Sequence, residues 1–425
     1  MKPSPIDGIL TRVARREFAR AVRFEGQGAP RIPPPTSEKP RLLYLHVPFC
    51  ERLCPYCSFN RVVFQPNLAR SYFKALQREI VLYRDLGYRF TGIYVGGGTP
   101  TVLVDELAAV LDLARSLFPI RDISVETNPN HLTDANLAVL VQAGVQRLSV
   151  GVQSFDDGLL RKMERYEKYG SGEEIAGRLA AVQGRFPTLN ADMIFNFPTQ
   201  TPDMLERDLD ILLRIAVDQT TYYPLMVSDA TRGLVARTLG RVSYDGEADL
   251  YRRIRERLRP NYRLSSAWCF SRKTSMIDEY IVDYDEYAGL GSGSIGFLSG
   301  VCYANTFDIP EYIRKVESGE LPLLAARSFS LRDLMNYDFL MKLFGGRLDL
   351  NALREKFGTS PWPYLGLPIL AFRLSGRITY RRPVLELTER GCYAWVIMMR
   401  EFFIAVNNFR DFCRRNPDPG AGQRA

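Results

Sequence analysis

Short apolar segments alternate with segments of helical periodicity between residues 42 and 227, and this alternation constrains the fold more than any other feature. Six of the apolar segments have the length and composition of buried strands. Strands that alternate with helices form a parallel sheet with right-handed crossovers. We therefore predict an α/β fold, a sheet curved into a partial (β/α)6 barrel, with its chemistry at the carboxyl ends of the strands. The predicted strands are "LLYLHV" (42–47), "GIYVGGG" (92–98), "ISVETNP" (123–129), "RLSVGVQ" (147–153), "NADMIFNF" (190–197) and "TTYYPLMV" (220–227).

The pattern changes after about residue 300, where helical segments dominate. The chain has 425 residues, enough for a large domain and a smaller one. A small hairpin, "GRITYRRPVLELT", lies between two of the later helical segments, so this part is expected to be winged-helix-like. The stretch from 28 to 40 is rich in proline and the last residues are polar, as in extended or disordered segments. The predicted divisions are an N-terminal extension (1–40), the barrel (41–300), a C-terminal helical domain (301–412) and a disordered tail (413–425).

Charge and targeting signals say little about partners. Lysine and arginine exceed aspartate and glutamate by 56 − 48 = 8. No dense basic run accompanies this excess, which therefore favours an ordinary solvated surface and no nucleic-acid partner. The first 25 residues contain arginines throughout and lack the apolar core of a signal peptide, so a cytoplasmic protein is expected. A net charge of +8 is also compatible with a peripheral contact to an anionic membrane.

Cysteine spacing is the strongest chemical signal. The count of seven is odd and four cysteines stand alone, which argues against a secreted disulfide framework. The other three, Cys50, Cys54 and Cys57, follow the first predicted strand as C-x3-C-x2-C. A structural zinc site would need a fourth cysteine or histidine, and the nearest histidine, His46, lies inside that strand. Three thiolates instead suit a 4Fe–4S cluster in which one iron stays open for a small ligand.

The segment "YLHVPFCERLCPYCSF" (44–59) resembles the radical S-adenosylmethionine superfamily, in its oxygen-independent coproporphyrinogen oxidase branch. The resemblance extends from about residue 40 to 410. It implies that the open iron binds S-adenosylmethionine, and that one-electron reduction then releases a 5′-deoxyadenosyl radical. It also implies a second S-adenosylmethionine molecule and a one-electron donor such as flavodoxin or ferredoxin. Further similar motifs are "VGGGTPT" (95–101), "ISVETNP" (123–129), "RLSVGVQSF" (147–155), "DMIFNFPTQT" (192–201) and "GLGSGSIG" (289–296).

Matching the chain to the family's motifs assigns two sets of contacts and no catalytic residue. The cluster-bound S-adenosylmethionine is expected to contact Tyr44, Gly97, Glu126, Met226 and Ile295. The second molecule is expected to contact Tyr56, Gly98, Thr99, Gln153, Arg165 and Asp192. Consecutive glycines let the backbone approach a ligand, and an arginine suits a carboxylate. By sequence alone, Arg165 is more typical of a solvated helix, and Met226 and Ile295 suit a core equally well.

One position departs from the oxidases, which usually carry a further cysteine two residues after the triplet. Phe59 occupies that position here. The same branch contains radical methyltransferases that methylate an sp² carbon of an aromatic ring, among them the naphthoquinone ring of menaquinone. Phe59 and the side chains of the last helix favour such a methyltransferase with a lipophilic aromatic substrate; those side chains are Tyr393, Trp395, Met398, Met399, Phe402 and Phe403. Three side chains at the end of the sixth strand are also expected to face a ligand: Tyr222, Tyr223 and Met226.

Other functions stay open. One is the oxygen-independent coproporphyrinogen III dehydrogenase reaction of haem biosynthesis. Another is a haem-binding or haem-degrading relative, for which His46, His131 or a single cysteine such as Cys269 would have to ligate the iron. A third is nucleic-acid binding through the hairpin, where "RRP" (381–383) gives little basic charge.

Overall fold

The computed structural model describes residues 5–22, 24, 30–35, 39–273 and 280–416. Their strands are β1 (Leu42–Val47), β2 (Phe49–Cys50), β3 (Val62–Val63), β4 (Gly92–Gly97), β5 (Asp122–Thr127), β6 (Arg147–Gln153), β7 (Thr188–Phe195), β8 (Gln219–Pro224), β9 (Arg263–Leu264), β10 (Cys269–Ser271), β11 (Tyr287–Leu290), β12 (Ile295–Leu298), β13 (Val301–Asn305), β14 (Leu323–Ser328), β15 (Arg347–Asp349), β16 (Ile378–Arg381) and β17 (Val384–Leu387).

Helices connect the parallel strands of the main sheet and form most of the C-terminal part. They are α1 (Pro5–Ala21), α2 (Pro66–Asp85), α3 (Val104–Leu117), α4 (Asp134–Gln142), α5 (Asp157–Lys162), α6 (Tyr166–Tyr169), α7 (Gly172–Val182), α8 (Pro202–Ile215), α9 (Arg232–Thr238), α10 (Glu247–Leu258), α11 (Tyr280–Asp283), α12 (Ile309–Glu317), α13 (Leu331–Phe344), α14 (Leu350–Phe357), α15 (Trp362–Leu374) and α16 (Glu389–Arg415). No helix among these described residues is long and apolar enough to cross a membrane.

The six predicted strands are β1 and β4 to β8, and they pair in parallel in that order. Every residue of β1 is buried, as expected for a parallel strand covered on both faces. Helix α8 follows β7 and begins at Pro202, where the Thr201 hydroxyl caps it by accepting a hydrogen bond from the Met204 amide. The predicted α/β fold is therefore confirmed.

The sheet is larger than the sequence predicted. Strand β11 pairs in parallel with β1, and β12, β13 and β14 continue from it as an antiparallel meander to Ser328. The 12-stranded sheet therefore runs past residue 300, where the helical domain was expected to begin. These added strands are short and close to glycines, so their sequence carries little strand periodicity.

The C-terminal part contains the expected helices and hairpin, with two differences. Strand β15 adds a third strand to the hairpin of β16 and β17. Helix α15 was not predicted, because Pro368 and Gly366 in its interior disfavour a helix. The burial of Leu365 and Ile369 compensates for that cost. Helix α16 continues to Arg415, beyond residue 412, and the tail from 417 lies outside the described residues.

Part of the expected N-terminal extension is a helix that packs on the end of the chain. Phe18 meets the ring of Phe402 edge to face, 5.5 Å between centroids. Arg15 donates a hydrogen bond to Glu401 at 2.8 Å. Helix α1 therefore belongs to the folded body. The described residues of the proline-rich stretch, 30–35 and 39–40, form neither helix nor strand, and 36–38 lie outside the described residues.

Candidate active site

Cys50, Cys54 and Cys57 lie on the segment between β1 and β3, called the cysteine loop here, in which Cys50 ends the two-residue strand β2. Arg61 holds this loop by donating hydrogen bonds to the carbonyl oxygens of Cys54 at 2.6 Å and Cys57 at 2.8 Å. All three thiols are free of disulfides and half-buried. Burial and the neighbouring Cys57 raise the pKa of Cys50 to about 11. The Cys50 sulfur is therefore a neutral thiol unless a positive centre stabilises its thiolate.

The surroundings of these thiols fit an anionic iron–sulfur cluster. The Arg165 guanidinium lies 3.7 Å from the Cys54 sulfur, and both Arg61 and Arg165 have an Nε without a hydrogen-bond partner among the described residues. Among the described residues, no three His, Cys, Asp or Glu side chains are grouped around a single metal position. A 4Fe–4S cluster needs no such group, because each thiolate binds a different iron.

The glycines after β4 bring the backbone against the cysteine loop. A Cβ atom at Gly98 would lie 2.6 Å from the carbonyl oxygen of Phe49, and one at Gly97 would lie 2.7 Å from the His46 ring. Gly97 has a φ of +115°, which other residues rarely adopt. Its amide donates to Glu126 at 3.2 Å, and Tyr94 donates to the other carboxylate oxygen at 2.8 Å. Glu126 is thus fixed at the end of β5, where it is available to an amino group or ribose hydroxyl.

A second polar group lies around Arg165, which is 3% exposed. Its guanidinium stacks over the Tyr169 ring, 4.2 Å from the centroid, and donates to the Gly151 carbonyl. Asp192, on β7, accepts hydrogen bonds from Ser149 at 2.6 Å and Asn190 at 2.8 Å. The interpretation of Arg165 as a solvated helix charge is wrong, since Arg165 lies just before α6 and its side chain is buried against Cys54 of the cysteine loop.

One cavity of about 950 Å³ collects nearly all of the residues that the sequence singled out. Thr99 lies behind its wall, where its hydroxyl faces the Cys50 sulfur at 3.7 Å and accepts a hydrogen bond from Asn128 at 2.7 Å. Gln153 reaches the cavity from a left-handed backbone conformation at the end of β6. The predicted residues that line the cavity are Tyr44, Cys50, Cys54, Tyr56, Cys57, Gly97, Gly98, Glu126, Gln153, Arg165, Asp192, Met226 and Ile295.

Aromatic residues near the cavity divide between its wall and the core. Tyr223 lines the cavity, whereas Tyr222 is fully buried away from it, because successive side chains on a strand point to opposite faces. The expectation that Tyr222 faces a ligand is therefore wrong. On α16, Trp395 belongs to the core and donates to the Leu340 carbonyl at 2.9 Å. Met399 is core and Tyr393 bonds to Glu247, while the cavity takes Met398, Phe402 and Phe403.

The sequence did not predict the cavity walls that α1 and α15 supply. Helix α1 contributes a row of apolar side chains, and α15 contributes Leu367 and Pro368. Helical spacing in residues 5–21 was the available signal. The residues from α1 that line the cavity include Ile6, Ile9, Leu10, Val13 and Phe18.

Arg410 is the most informative of the missed residues. It lines the cavity from α16, is 7% exposed and places its guanidinium 5.0 Å from the centroid of the Phe59 ring. One nitrogen donates to Asn407 at 2.9 Å, and its Nε has no hydrogen-bond partner. No carboxylate forms an ion pair with it among the described residues. A buried cation of this kind is ready to bind a ligand carboxylate.

Neither of the chain's two histidines is placed to ligate an iron in the cavity. Burial lowers the pKa of His46 to about 4, and its ring nitrogens lie 2.9 Å from the Tyr44 hydroxyl and 2.8 Å from the Asn60 carbonyl. The His131 ring is 2.7 Å from the Thr101 hydroxyl and 3.3 Å from Glu51. Cys269 is fully buried in β10. The haem ligands suggested by the sequence are thus occupied or enclosed.

Comparison with known proteins identifies the family. The model of the Radical SAM superfamily matches residues 44–212. The heme chaperone HemW of Bacillus subtilis is 30% identical over 307 residues, covering 68% of this chain and 77% of HemW. This chain is a radical SAM protein of the HemN/HemW family. Membership implies a 4Fe–4S cluster and S-adenosylmethionine, and Cys50, Cys54 and Cys57 are the thiols that fit the cluster.

Other members are similar over different lengths. The anaerobilin synthase of Escherichia coli O157:H7 is 27% identical over 68% of both chains. The oxygen-independent coproporphyrinogen III oxidase of Paracoccus denitrificans is 33% identical, over 43% of this chain and 42% of the oxidase. The structure of the Escherichia coli coproporphyrinogen III oxidase HemN superposes with a TM-score of 0.73 at 22% identity, covering 86% of this chain and 90% of HemN. That superposition supports the fold of the radical SAM protein described here. These relatives are named for heme, anaerobilin or coproporphyrinogen, and none of them is named for menaquinone methylation.

Proposed function

We propose that this radical SAM enzyme acts on a tetrapyrrole that bears carboxylate side chains. The observation that carries the proposal is the buried, unpaired guanidinium of Arg410 in a largely apolar cavity beside the cysteine loop. The cavity volume of about 950 Å³ is near the upper end of the range for ligand sites, roughly 300–1,000 Å³. A large, flat, apolar ring with anionic side chains matches both features.

The names of the relatives support the same substrate class. The heme chaperone, the anaerobilin synthase and the coproporphyrinogen III oxidase are all named for tetrapyrroles or their handling. These proteins differ in what their names say they do with the ring. What the names share is the tetrapyrrole ring, and we propose the same class of ligand for this chain.

The protein's role in such a reaction is to hold and orient the reactants. When bound, the cluster supplies the electron that cleaves S-adenosylmethionine into methionine and a 5′-deoxyadenosyl radical. The Glu126 carboxylate and Gly97 would hold this first molecule. Arg165 and Asp192 would hold a second S-adenosylmethionine beside it. Helices α1 and α16 line the cavity with apolar side chains, which would limit the access of water to a reactive radical.

Phe59 guides the choice of reaction. It stands where the oxidases usually carry a cysteine, so we propose radical addition of a one-carbon group to an sp² carbon of the ring rather than oxidative decarboxylation. The carbon group would come from the methyl of the second S-adenosylmethionine, which would leave as S-adenosylhomocysteine. A protein such as flavodoxin or ferredoxin would supply the two electrons that each turnover consumes. A ring carbon of this kind is a poor nucleophile, and radical addition avoids that difficulty.

Ligand titration tests the substrate class. We expect coproporphyrin to bind wild-type protein, and its tetramethyl ester to bind more weakly because the ester lacks carboxylates. Arg410→Gln should weaken binding of the acid by about 1.5–3 kcal/mol, the range for hydrogen bonds to charged groups, and leave ester binding unchanged. Arg20→Gln, on the exposed rim, serves as the matched control. Equal losses for acid and ester would contradict a carboxylate contact.

Methylation of the menaquinone naphthoquinone is the second candidate. The apolar walls from α1, α15 and α16 favour it, because they suit a lipophilic ring with a long tail. A neutral quinone would leave the buried charge of Arg410 unpaired, at a free-energy cost. Expression in a host that makes unmethylated menaquinone distinguishes the two: a quinone heavier by one methylene supports this candidate, and an unchanged pool rejects it.

A further inference from the structure

We propose that the mouth of the cavity docks on an anionic lipid surface through helices α1 and α15. Two rows of large apolar side chains remain uncovered there. Leu367 and Leu374 of α15 are 78% and 79% exposed, and Leu370 is 50% exposed. On α1, Ile9 and Val13 are each about half exposed. Such a concentration of exposed apolar side chains marks a contact surface.

The spacing places each row on one face of its helix. Residues 367, 370 and 374 are three or four apart, as are 6, 9 and 13, so each set forms a continuous stripe. The opposite faces are already covered: Ala14 of α1 and Leu365 of α15 are buried. The exposed stripes are therefore not needed for folding.

Both stripes border the same opening. Leu367, Ile9 and Val13 also line the cavity, although they are largely exposed, so they lie at its rim. An ion pair of 2.5 Å between Asp7 and Arg377 joins α1 to the segment that follows α15. A surface that receives these stripes would therefore face the cavity entrance.

Basic residues accompany the apolar stripes. Arg12 and Arg16 of α1 are exposed and form no ion pair among the described residues, and Arg373 of α15 is exposed as well. On α1, Glu17 is an exposed carboxylate, and Arg20 pairs with it at 3.3 Å. Apolar side chains flanked by arginines are the pattern of helices that lie in the interface of anionic membranes.

The hairpin extends this surface. Tyr380 packs edge to face against Trp362 at the start of α15, with 5.8 Å between ring centroids. Arg381 and Arg382 follow on the exposed turn of that hairpin, and Trp362 is itself 45% exposed. Tryptophan is enriched at the membrane–water boundary, which suits its position beside the apolar stripe.

A lipid surface explains the charge better than a second copy of this chain. In a symmetric dimer the same patch appears on both sides, so these arginines would face one another. Anionic headgroups would neutralise them. Docking would open the cavity towards the bilayer, from which an amphiphilic substrate can enter without crossing water. The inference rests on the cavity and its rim, and its test does not require turnover.

Vesicle binding tests the proposal with the full-length protein. We expect co-sedimentation with vesicles of equal parts phosphatidylglycerol and phosphatidylcholine at low salt, and little with pure phosphatidylcholine. The double variant Leu367→Glu/Leu374→Glu should reduce binding at least tenfold. Arg12→Gln/Arg16→Gln should reduce it about fivefold for each arginine and weaken its salt dependence. Iron content and circular dichroism check that each variant folds.

Two results would overturn the proposal. Leu86→Glu/Val141→Glu adds the same charge at exposed positions outside the rim and should bind vesicles like wild type. If this control loses as much vesicle binding as the rim variant, the added negative charge and not the rim accounts for the loss. If the rim variant Leu367→Glu/Leu374→Glu binds vesicles as well as wild type does, and the same substitutions dissociate a dimer that wild type forms, the surface contacts a second copy of this chain. Porphyrin titration is independent of these outcomes, so failure here leaves the proposed function standing.

Discussion

The guanidinium of Arg410 lies over the ring of Phe59, 5.0 Å from its centroid, beside the loop that carries the three cysteines. The ring belongs to the position where related oxidases usually have a further cysteine, and the arginine comes from the last helix. The contact joins the segment after the three cysteines to the last helix, and both residues line the cavity. It orients a buried cation without neutralising it, since an aromatic face attracts a cation but leaves its hydrogen-bond donors free.

Phe59→Leu tests this contact. Leucine keeps the apolar volume and removes the aromatic face, so Arg410 should become less well ordered. We expect coproporphyrin to bind more weakly by about 0.5–2 kcal/mol, the range of cation–π contacts. Binding of the tetramethyl ester should change by less. A larger loss for the ester would show that Phe59 contacts the ring directly and does not act through Arg410.

The cysteine loop predicts the iron content. Replacing Cys50, Cys54 or Cys57 by Ala should abolish the 4Fe–4S absorbance and lower iron from about four atoms per chain to a trace. Cys302→Ala is the matched control, because burial raises the pKa of this cavity-lining thiol to about 12 and so disfavours its thiolate. Iron analysis after anaerobic reconstitution is the measurement. Equal iron loss in the control would show that the ligand set is wrong.

Asp192→Asn and Arg165→Gln test for a second S-adenosylmethionine. Both side chains line the cavity, and we assign them to the second molecule. We expect 5′-deoxyadenosine to form at a largely retained rate while product falls at least tenfold, from the loss of about 1.5–3 kcal/mol of binding. Glu126→Gln, assigned to the first molecule, should lower both. Mass spectrometry gives the two yields, and a parallel fall in all three variants would refute separate roles.

Glu79 predicts a pH dependence of stability. This carboxyl is fully buried and accepts hydrogen bonds from Tyr312 at 2.6 Å and from the Gly291 amide at 2.8 Å. Burial nevertheless raises its pKa from 4.5 to about 7. Because the pKa is raised in the folded state, protonation of Glu79 stabilises the fold. This contribution is fully present below pH 4.5, the pKa in the unfolded chain, and is lost as pH rises through about 7.

The measurement compares wild type with Glu79→Gln, which resembles the protonated carboxyl. Wild type should lose up to about 3 kcal/mol relative to the variant between pH 4.5 and 8, since each pKa unit corresponds to about 1.4 kcal/mol. Thermal unfolding at pH 5 and pH 8 gives the difference. If the melting temperatures of wild type and Glu79→Gln change by the same amount between pH 5 and pH 8, Glu79 does not titrate in this range.

Much of the fold was predictable because its signals are local. Strand β1 is a continuous apolar run, and the helix beginning at Pro202 has its cap in the adjacent Thr201. Helix α1 was missed because the face that it buries meets α16, almost 400 residues later in the chain. Helix α15 was missed because Pro368 and Gly366 contradict its local propensity, and tertiary packing overrides them.

The site likewise contains residues that the local sequence predicts and residues whose role depends on distant contacts. The cysteine spacing predicted one loop, and the glycines marked a close approach of the backbone. Arg165 resembles a surface residue in sequence, since its burial depends on Cys54, 111 positions away. Arg410 gave no signal, because a single arginine in a helix does not reveal whether its side chain is paired. Only the three-dimensional arrangement shows that it is buried without an acidic partner.

The most direct test of the central claim is anaerobic turnover with a tetrapyrrole and S-adenosylmethionine bearing a deuterated methyl group. Reconstituted protein, a flavodoxin reducing system and each candidate ring would be analysed by mass spectrometry. We predict 5′-deoxyadenosine together with a tetrapyrrole that has gained a deuterium-labelled one-carbon group, and loss of both products in the Cys54→Ala protein. A product lacking two carbon dioxide units would instead identify an oxidase. Unchanged tetrapyrroles alongside a labelled, methylated naphthoquinone would contradict the account.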